Sequence, residues 1–183
     1  PFKKEPLNEI NILDYIERFE KGFFEGEAVK EFNKKYKHEI IQLSKEHSYS
    51  KSQRLIWLRK GLLPIKIVQD LNCLGYNIHE LENAKFKISN SISIPVKIQV
   101  CDDLLTFIGL WLADGCYDKK SIILSVVEEE NRDIFRNLAK KFGFNIKMHS
   151  DTFSLMINSG TLKEVMIKIF ELRGNSYTKR IPN

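Results

Sequence analysis

Asp114 stands in this sequence where a carboxylate is poorly placed unless something holds it there. Residues 104–115 read Leu-Leu-Thr-Phe-Ile-Gly-Leu-Trp-Leu-Ala-Asp-Gly, and from Phe107 to Ala113 no side chain is polar. A helix that is apolar all round is buried on all sides. One side can face the chain's own sheet, so something else must cover the other. Gly109 and Ala113 are four apart and share a face. Glycine inside a helix costs about 1 kcal/mol relative to alanine, and small residues at this spacing let two helices approach closely. Asp114 would end this helix, where its charge meets the negative pole of the helix dipole at a cost of roughly 0.3–1 kcal/mol. A carboxylate kept there points to a nearby cation, and carboxylate and carbonyl oxygens are the donors Mg²⁺ prefers. The plainer reading of the same residues is a buried helix closed by an ordinary Asp-Gly turn.

Few other residues offer chemistry. Cys73, Cys101 and Cys116 form no C-x-x-C pair, and His38, His47, His79 and His149 are scattered. Neither a disulfide framework nor a zinc site is indicated. The cysteines read as core filling in a cytoplasmic, intracellular protein with reduced thiols. At 183 residues the chain holds one or two domains. Its 43% hydrophobic and 29% charged residues are those of a folded protein. No apolar run nears the roughly 20 residues that span a bilayer, so no membrane partner is expected. No signal peptide is visible, and the Pro1 start fits a processed chain or a fragment.

The formal charge of +5 is unevenly spread. Between Lys30 and Lys66 ten Lys and Arg face three acids, a net +7, which leaves −2 for the rest of the chain. A concentrated basic segment is the electrostatic footprint of a nucleic-acid binder.

The elements that would position these groups follow from periodicity and caps. Residues 7–20 read as an amphipathic helix, and Glu27–Glu46 as one or two more. After a polar turn at His47–Tyr49, Ser50 caps a helix that runs to Lys60 and closes at Gly61. Pro64 opens a short helix over 65–71. Residues 86–98 alternate like strands, and the domain boundary falls near residue 96. Beyond it, the expectation is a helix capped by Asp102 or Asp103 and ending at Gly115. A short strand at 116–117 and a strand over 121–127 follow. Next come a helix from Asn131 to about Phe142, strands over 144–149 and 152–159, and a helix over 161–172. The fold class is therefore α+β. An α-β-β-α-β-β-α domain over 97–183 has a four-stranded antiparallel sheet, with helices on one face and the other face free. A mostly helical, basic domain over 1–96 precedes it.

Within that first domain, Glu39–Glu46, the turn and Ser50–Gly61 resemble a helix-turn-helix. Such a unit would bring Lys51, Gln53 and Arg54 toward bases, and Arg59 and Lys60 toward phosphates, while Trp57 belongs to the core.

The segment Phe107-Ile108-Gly109-Leu110-Trp111-Leu112-Ala113-Asp114-Gly115 resembles the signature nonapeptide of the LAGLIDADG homing endonucleases. It matches at Gly109, Leu110, Ala113, Asp114 and Gly115 and departs at Leu112, where the family usually has an acid. Lys179-Arg180-Ile181-Pro182 resembles the K-x-I-P block of the intein-type and archaeal branch. The resemblance implies a site-specific, double-strand DNA endonuclease hydrolysing phosphodiesters with Mg²⁺ or another divalent cation. It implies that Asp114 and the backbone carbonyl of Ala113 hold the metal, that Lys179 assists at the phosphate or the attacking water, and that Arg180 touches phosphate. It further implies a helix pair packed through Phe107, Gly109, Leu110 and Ala113, formed with a second LAGLIDADG half. Finally, it implies a sheet laid over double-stranded DNA. Strand alternation then turns Asn145, Lys147, His149, Thr152, Ser154, Met156 and Asn158 to the groove, and Phe144, Ile146, Met148, Phe153, Leu155 and Ile157 to the core.

Only one copy of the nonapeptide is present, so the second half comes from a homodimer or from a repeat beyond this chain. The alternative functions on the same fold are a DNA-binding protein without cleavage and an intron maturase that binds RNA.

Overall fold

Ile10, Leu13, Ile16 and Phe19 recur every three residues, a period that suits a 3-10 helix better than an α-helix. In the computed structural model, which describes residues 8–125, 128–149 and 153–174, this stretch is no α-helix. It forms strand β1 (Glu9–Asn11) and a 3-10 helix, Ile12–Arg18, capped by the Asn11 side chain, which accepts from the Leu13 N–H. Ile12, Leu13 and Ile16 are buried.

The chain divides into two units. One is Asn11–Ile98; the other joins Gln99 onward with the described residues ahead of Asn11. The expected boundary near 96 thus falls close to one edge, but residues 8–10 group with the later unit. β1 pairs with β6 (Lys97–Gln99), so the chain enters and leaves the Asn11–Ile98 unit at neighbouring points.

The Asn11–Ile98 unit is mostly helical, as expected, but it also carries a small sheet that includes strands between the helices. Its elements are β2 (Phe23–Glu25), α1 (Glu27–Lys35), α2 (Lys37–Glu46), α3 (Lys51–Lys60), β3 (Leu62–Pro64), α4 (Ile65–Cys73), β4 (Lys85–Lys87) and β5 (Ile94–Pro95). The four strands make an antiparallel sheet in the order β3-β2-β4-β5. None exceeds three residues; β4 and β5 lie in or beside the alternating stretch 86–98, whereas β2 and β3 are too short for a period of two to declare itself between helices. Phe24, Phe86, Leu63, Ile65, Ile67 and Leu71 form the core. Across β2 and β4 the Lys87 ammonium pairs with the Glu25 carboxylate. Burial pushes that carboxyl up, but hydrogen bonds from Lys87 and Ser93 and the charge of Lys87 outweigh it and hold it below its ordinary value. A depressed carboxylate stabilises the fold above the unfolded value, and that stability is lost as pH falls through the folded one. Thermal melts from about pH 6 to 3 should therefore show a decline that Glu25→Gln makes shallower. An unchanged decline would remove Glu25 from the account.

The second unit runs α5 (Asp102–Asp114), β7 (Gly115–Asp118), β8 (Ser121–Ser125), α6 (Glu129–Lys141), β9 (Ile146–Met148), β10 (Ser154–Ile157) and α7 (Gly160–Lys168). Its strands form an antiparallel sheet in the order β7-β8-β10-β9. The caps differ from those expected. Cys101 caps α5 without a side-chain bond, Glu128 rather than Asn131 precedes α6, and the Ser159 hydroxyl caps α7 by accepting from the Leu162 N–H. Among the described residues no helix is long and apolar enough to cross a membrane.

Candidate metal and nucleic-acid sites

Helix α5 has two unlike sides. Leu104, Phe107 and Trp111, three and four apart, are buried. Phe107 stacks on Phe135 of α6 at 5.2 Å and meets Phe142 edge-on at 6.1 Å. Trp111 stacks on Tyr117 of β7 at 4.6 Å. Burial pushes the Tyr117 phenol up, and its hydroxyl donates to the Leu172 carbonyl at 3.0 Å. Phe107 is thus a core residue of its own unit and not a helix-pairing residue, a correction to the expectation. Its place follows from the i, i+4 spacing with Trp111, which puts both on the inward stripe. The other side carries Leu105, Thr106, Gly109 and Ala113, all exposed, with Leu110 and Leu112 half-buried at the margins. Leu105 is 54% exposed. Spacing alone could have added it to the pairing face, since 105, 109 and 113 are successive steps of four.

Asp114 is the last residue of α5 and is exposed. The turn after it depends on glycine. A Cβ on Gly115 would run into the Trp111 indole Cδ1 and come within 2.6 Å of the Trp111 carbonyl oxygen. The Gly115 N–H bonds that same carbonyl and ends the helix. The donor set suits a hard divalent cation: a carboxylate, with a main-chain carbonyl one residue before it, at a surface open to water. Among the described residues no three His, Cys, Asp or Glu gather as a complete ligand shell. Lys179 and Arg180 lie outside the described residues.

Around Gly109 an added Cβ would meet nothing within 4 Å. Gly109→Ala should therefore raise the stability of this chain by about 0.4–1 kcal/mol, read as a higher urea midpoint. If a second helix packs on this face, the same change should weaken self-association in sedimentation. A stability gain with unaltered association would place the partner elsewhere.

The outer sheet face is less polar than alternation suggested. Cys116, Ile123, Met156 and Lys147 lie level across the four strands, and Ile123 is buried. Asn145, Lys147 and Asn158 are exposed and His149 is half-buried. Ser154 is 1% exposed, its hydroxyl 2.9 Å from that of Ser125, so it does not face a groove. Ser154 and Ser125 stand opposite each other across β10 and β8, and hydroxyl pairs of this kind stabilise neighbouring strands. Phe153 and Met148, expected in the core, are 63% and 52% exposed, while Leu155 and Ile157 are buried as expected. Thr152 lies outside the described residues.

In the other unit α3 begins with a capping box. Ser50 accepts from the Gln53 N–H at 3.2 Å, and the Gln53 side chain accepts from the Ser50 N–H at 2.9 Å. Gln53 is therefore occupied in holding the helix start. Gly61 closes α3 in the left-handed region at φ +62. Trp57 is buried against Tyr49 and Phe23, as expected of a core residue. Lys51, Arg59 and Lys60 are exposed and Arg54 is half-buried. The turn before α3 is bonded from Tyr49 N–H to Ser44 carbonyl at 2.9 Å. α2 packs on α4, and α3 on α1 and β3, more than on each other. The cysteines are exposed or half-buried and do not fill the core.

The chain matches no protein-family model. It is 28% identical over 201 aligned residues to the "Uncharacterized protein MJ1054" of Methanocaldococcus jannaschii, an alignment covering 99% of this chain and 21% of that protein. The chain thus spans about a fifth of the length of the curated relative it matches.

Proposed function

We propose that this chain is one half of a LAGLIDADG-type, metal-dependent DNA endonuclease, acting on double-stranded DNA with a second half supplied by another copy or another repeat. The observation that carries the reading is α5: an open stripe holding Gly109 and Ala113, on a helix that ends in an exposed Asp114. The succession α5-β7-β8-α6-β9-β10-α7 with a four-stranded antiparallel sheet supports it. Two such helices packed through small residues would set their terminal carboxylates side by side. Asp114 and the Ala113 carbonyl would then hold a divalent cation, Mg²⁺ in the first instance. Bound there, the ion would stabilise developing charge on the DNA phosphate and make water a stronger nucleophile. Lys179 and Arg180 would balance phosphate charge. Asn145, Lys147 and Asn158 would contact the duplex from the sheet, and Lys51, Arg59 and Lys60 from α3.

The test is incubation of the chain at micromolar concentration with a plasmid library of genomic sites, with Mg²⁺ and with EDTA. Linear product with a defined end, in Mg²⁺ alone, is expected. Retention of DNA without product would leave a binding protein, and preference for structured RNA over duplex would point to a maturase; either would overturn the nuclease reading.

A further inference from the structure

The exposed side of α3 is aliphatic at its centre and cationic around it. Ser52, Leu55, Ile56 and Arg59, spaced three and four apart, line one open groove. Leu55 is 57% and Ile56 41% exposed. The ten residues of α3 include Lys51, Arg54, Arg59 and Lys60 and no acid. Among the described residues these four cations form no ion pair. Lys30 and Lys35 of the same basic window are held by Glu27 and Glu80 at 2.7 Å each. With four cations and no acid, α3 carries four of the seven net positive charges of the window, beside the bare aliphatic pair.

A helix of this kind fits a partner that is anionic at two rims and apolar between them. The DNA major groove is such a partner: phosphates flank a floor from which the thymine C5-methyl groups project. A second copy of α3 would bring four like charges against these four. An anionic membrane surface takes an amphipathic helix with a broad aromatic and aliphatic face, whereas Trp57 here is turned inward. We infer that α3 lies in the major groove with Leu55 and Ile56 against thymine methyl groups, Ser52 toward a base edge, and Lys51, Arg59 and Lys60 on the flanking phosphates. The sequence pattern placed the base contacts at Lys51, Gln53 and Arg54. Gln53 is taken up by the capping box and Arg54 lies along the Trp57 side of the helix, lining a crevice with Asn33, Ser44 and Trp57. The inference rests on the reading of the chain as a DNA binder but not on cleavage.

The experiment selects duplexes from a randomised pool with the full chain, then replaces each thymine of the selected site singly with deoxyuridine. That exchange removes the methyl group and keeps every hydrogen bond. At one or two adjacent positions the wild-type chain should lose about fourfold in affinity, the worth of one buried methyl-sized group. The Leu55→Ala, Ile56→Ala double variant, altered only at exposed positions, should keep its circular dichroism, bind more weakly and ignore the same exchange. No thymine-sensitive position, or a double variant as sensitive as wild type, would overturn the inference. So would a double variant that loses only binding to phosphatidylserine vesicles, or only self-association. Thymine sensitivity without any cleavage would keep the groove reading and sink the nuclease, and the converse pair of results would do the reverse.

Discussion

Asp114→Asn should abolish cleavage, by about 10³-fold or more, while leaving DNA affinity within about twofold and the melting midpoint no lower. Asn keeps the size of the side chain but lacks the charge, and a hard cation loses an anionic oxygen for a neutral one. Transition-state stabilisation of several kcal/mol by a metal corresponds to that loss in rate. Binding should persist because the cations of α3 and the sheet are remote in sequence from residue 114. Stability should persist because Asp114 is exposed and, among the described residues, holds no ion pair. Removing a charge from the negative end of the α5 dipole should even help slightly, by a few tenths of a kcal/mol. Single-turnover cleavage and filter binding on one selected duplex separate these quantities. An Asn variant that cuts like wild type would take the carboxylate out of the site.

Trp111→Ala should cost about 3–5 kcal/mol, the range for emptying a large aromatic from a closed core. Trp111 is fully buried, stacked on Tyr117, and touches the turn that ends α5 through Gly115. The loss would reach Asp114 as well, since the indole fixes where the chain leaves the helix. The chain has two tryptophans, one in each unit, which makes the test selective. With Trp111 gone, Trp57 alone reports the Asn11–Ile98 unit. Urea unfolding followed by circular dichroism should shift markedly, while the Trp57 emission midpoint should move less. Equal shifts would mean that the two units unfold as one, and no shift would contradict the packing described for α5.

The later part of the chain was the more legible in sequence. Its helices carry clear signals, an apolar run into Asp114-Gly115 and, just past α6, Gly143 in the left-handed region at φ +77, and Leu155 and Ile157 fell on the buried side as alternation required. Ser154 and Phe153 did not, because alternation assigns a face but not what covers it: a serine small enough to lie against Ser125 is buried, and a phenylalanine at a strand end is bare. Phe107 was misplaced for a related reason. In a helix apolar all round, hydrophobicity cannot separate the side that meets α6 from the side left open; only small size could, and it did so at Gly109 and Ala113. In the earlier unit the alternation over 86–98 announced β4 and β5, whereas β2 and β3, three residues each between helices, leave no period to count. The spacing of three from Ile10 to Phe19 was there to be seen, but a helix of 3.6 residues per turn accommodates it loosely enough to mislead.

The most direct test sets wild type and Asp114→Asn side by side on the same genomic-site library in Mg²⁺. The account predicts that wild type yields linear DNA with one defined end and that the Asn variant retains the same DNA uncut. Equal cutting by both, or retention without cutting by either, would contradict it.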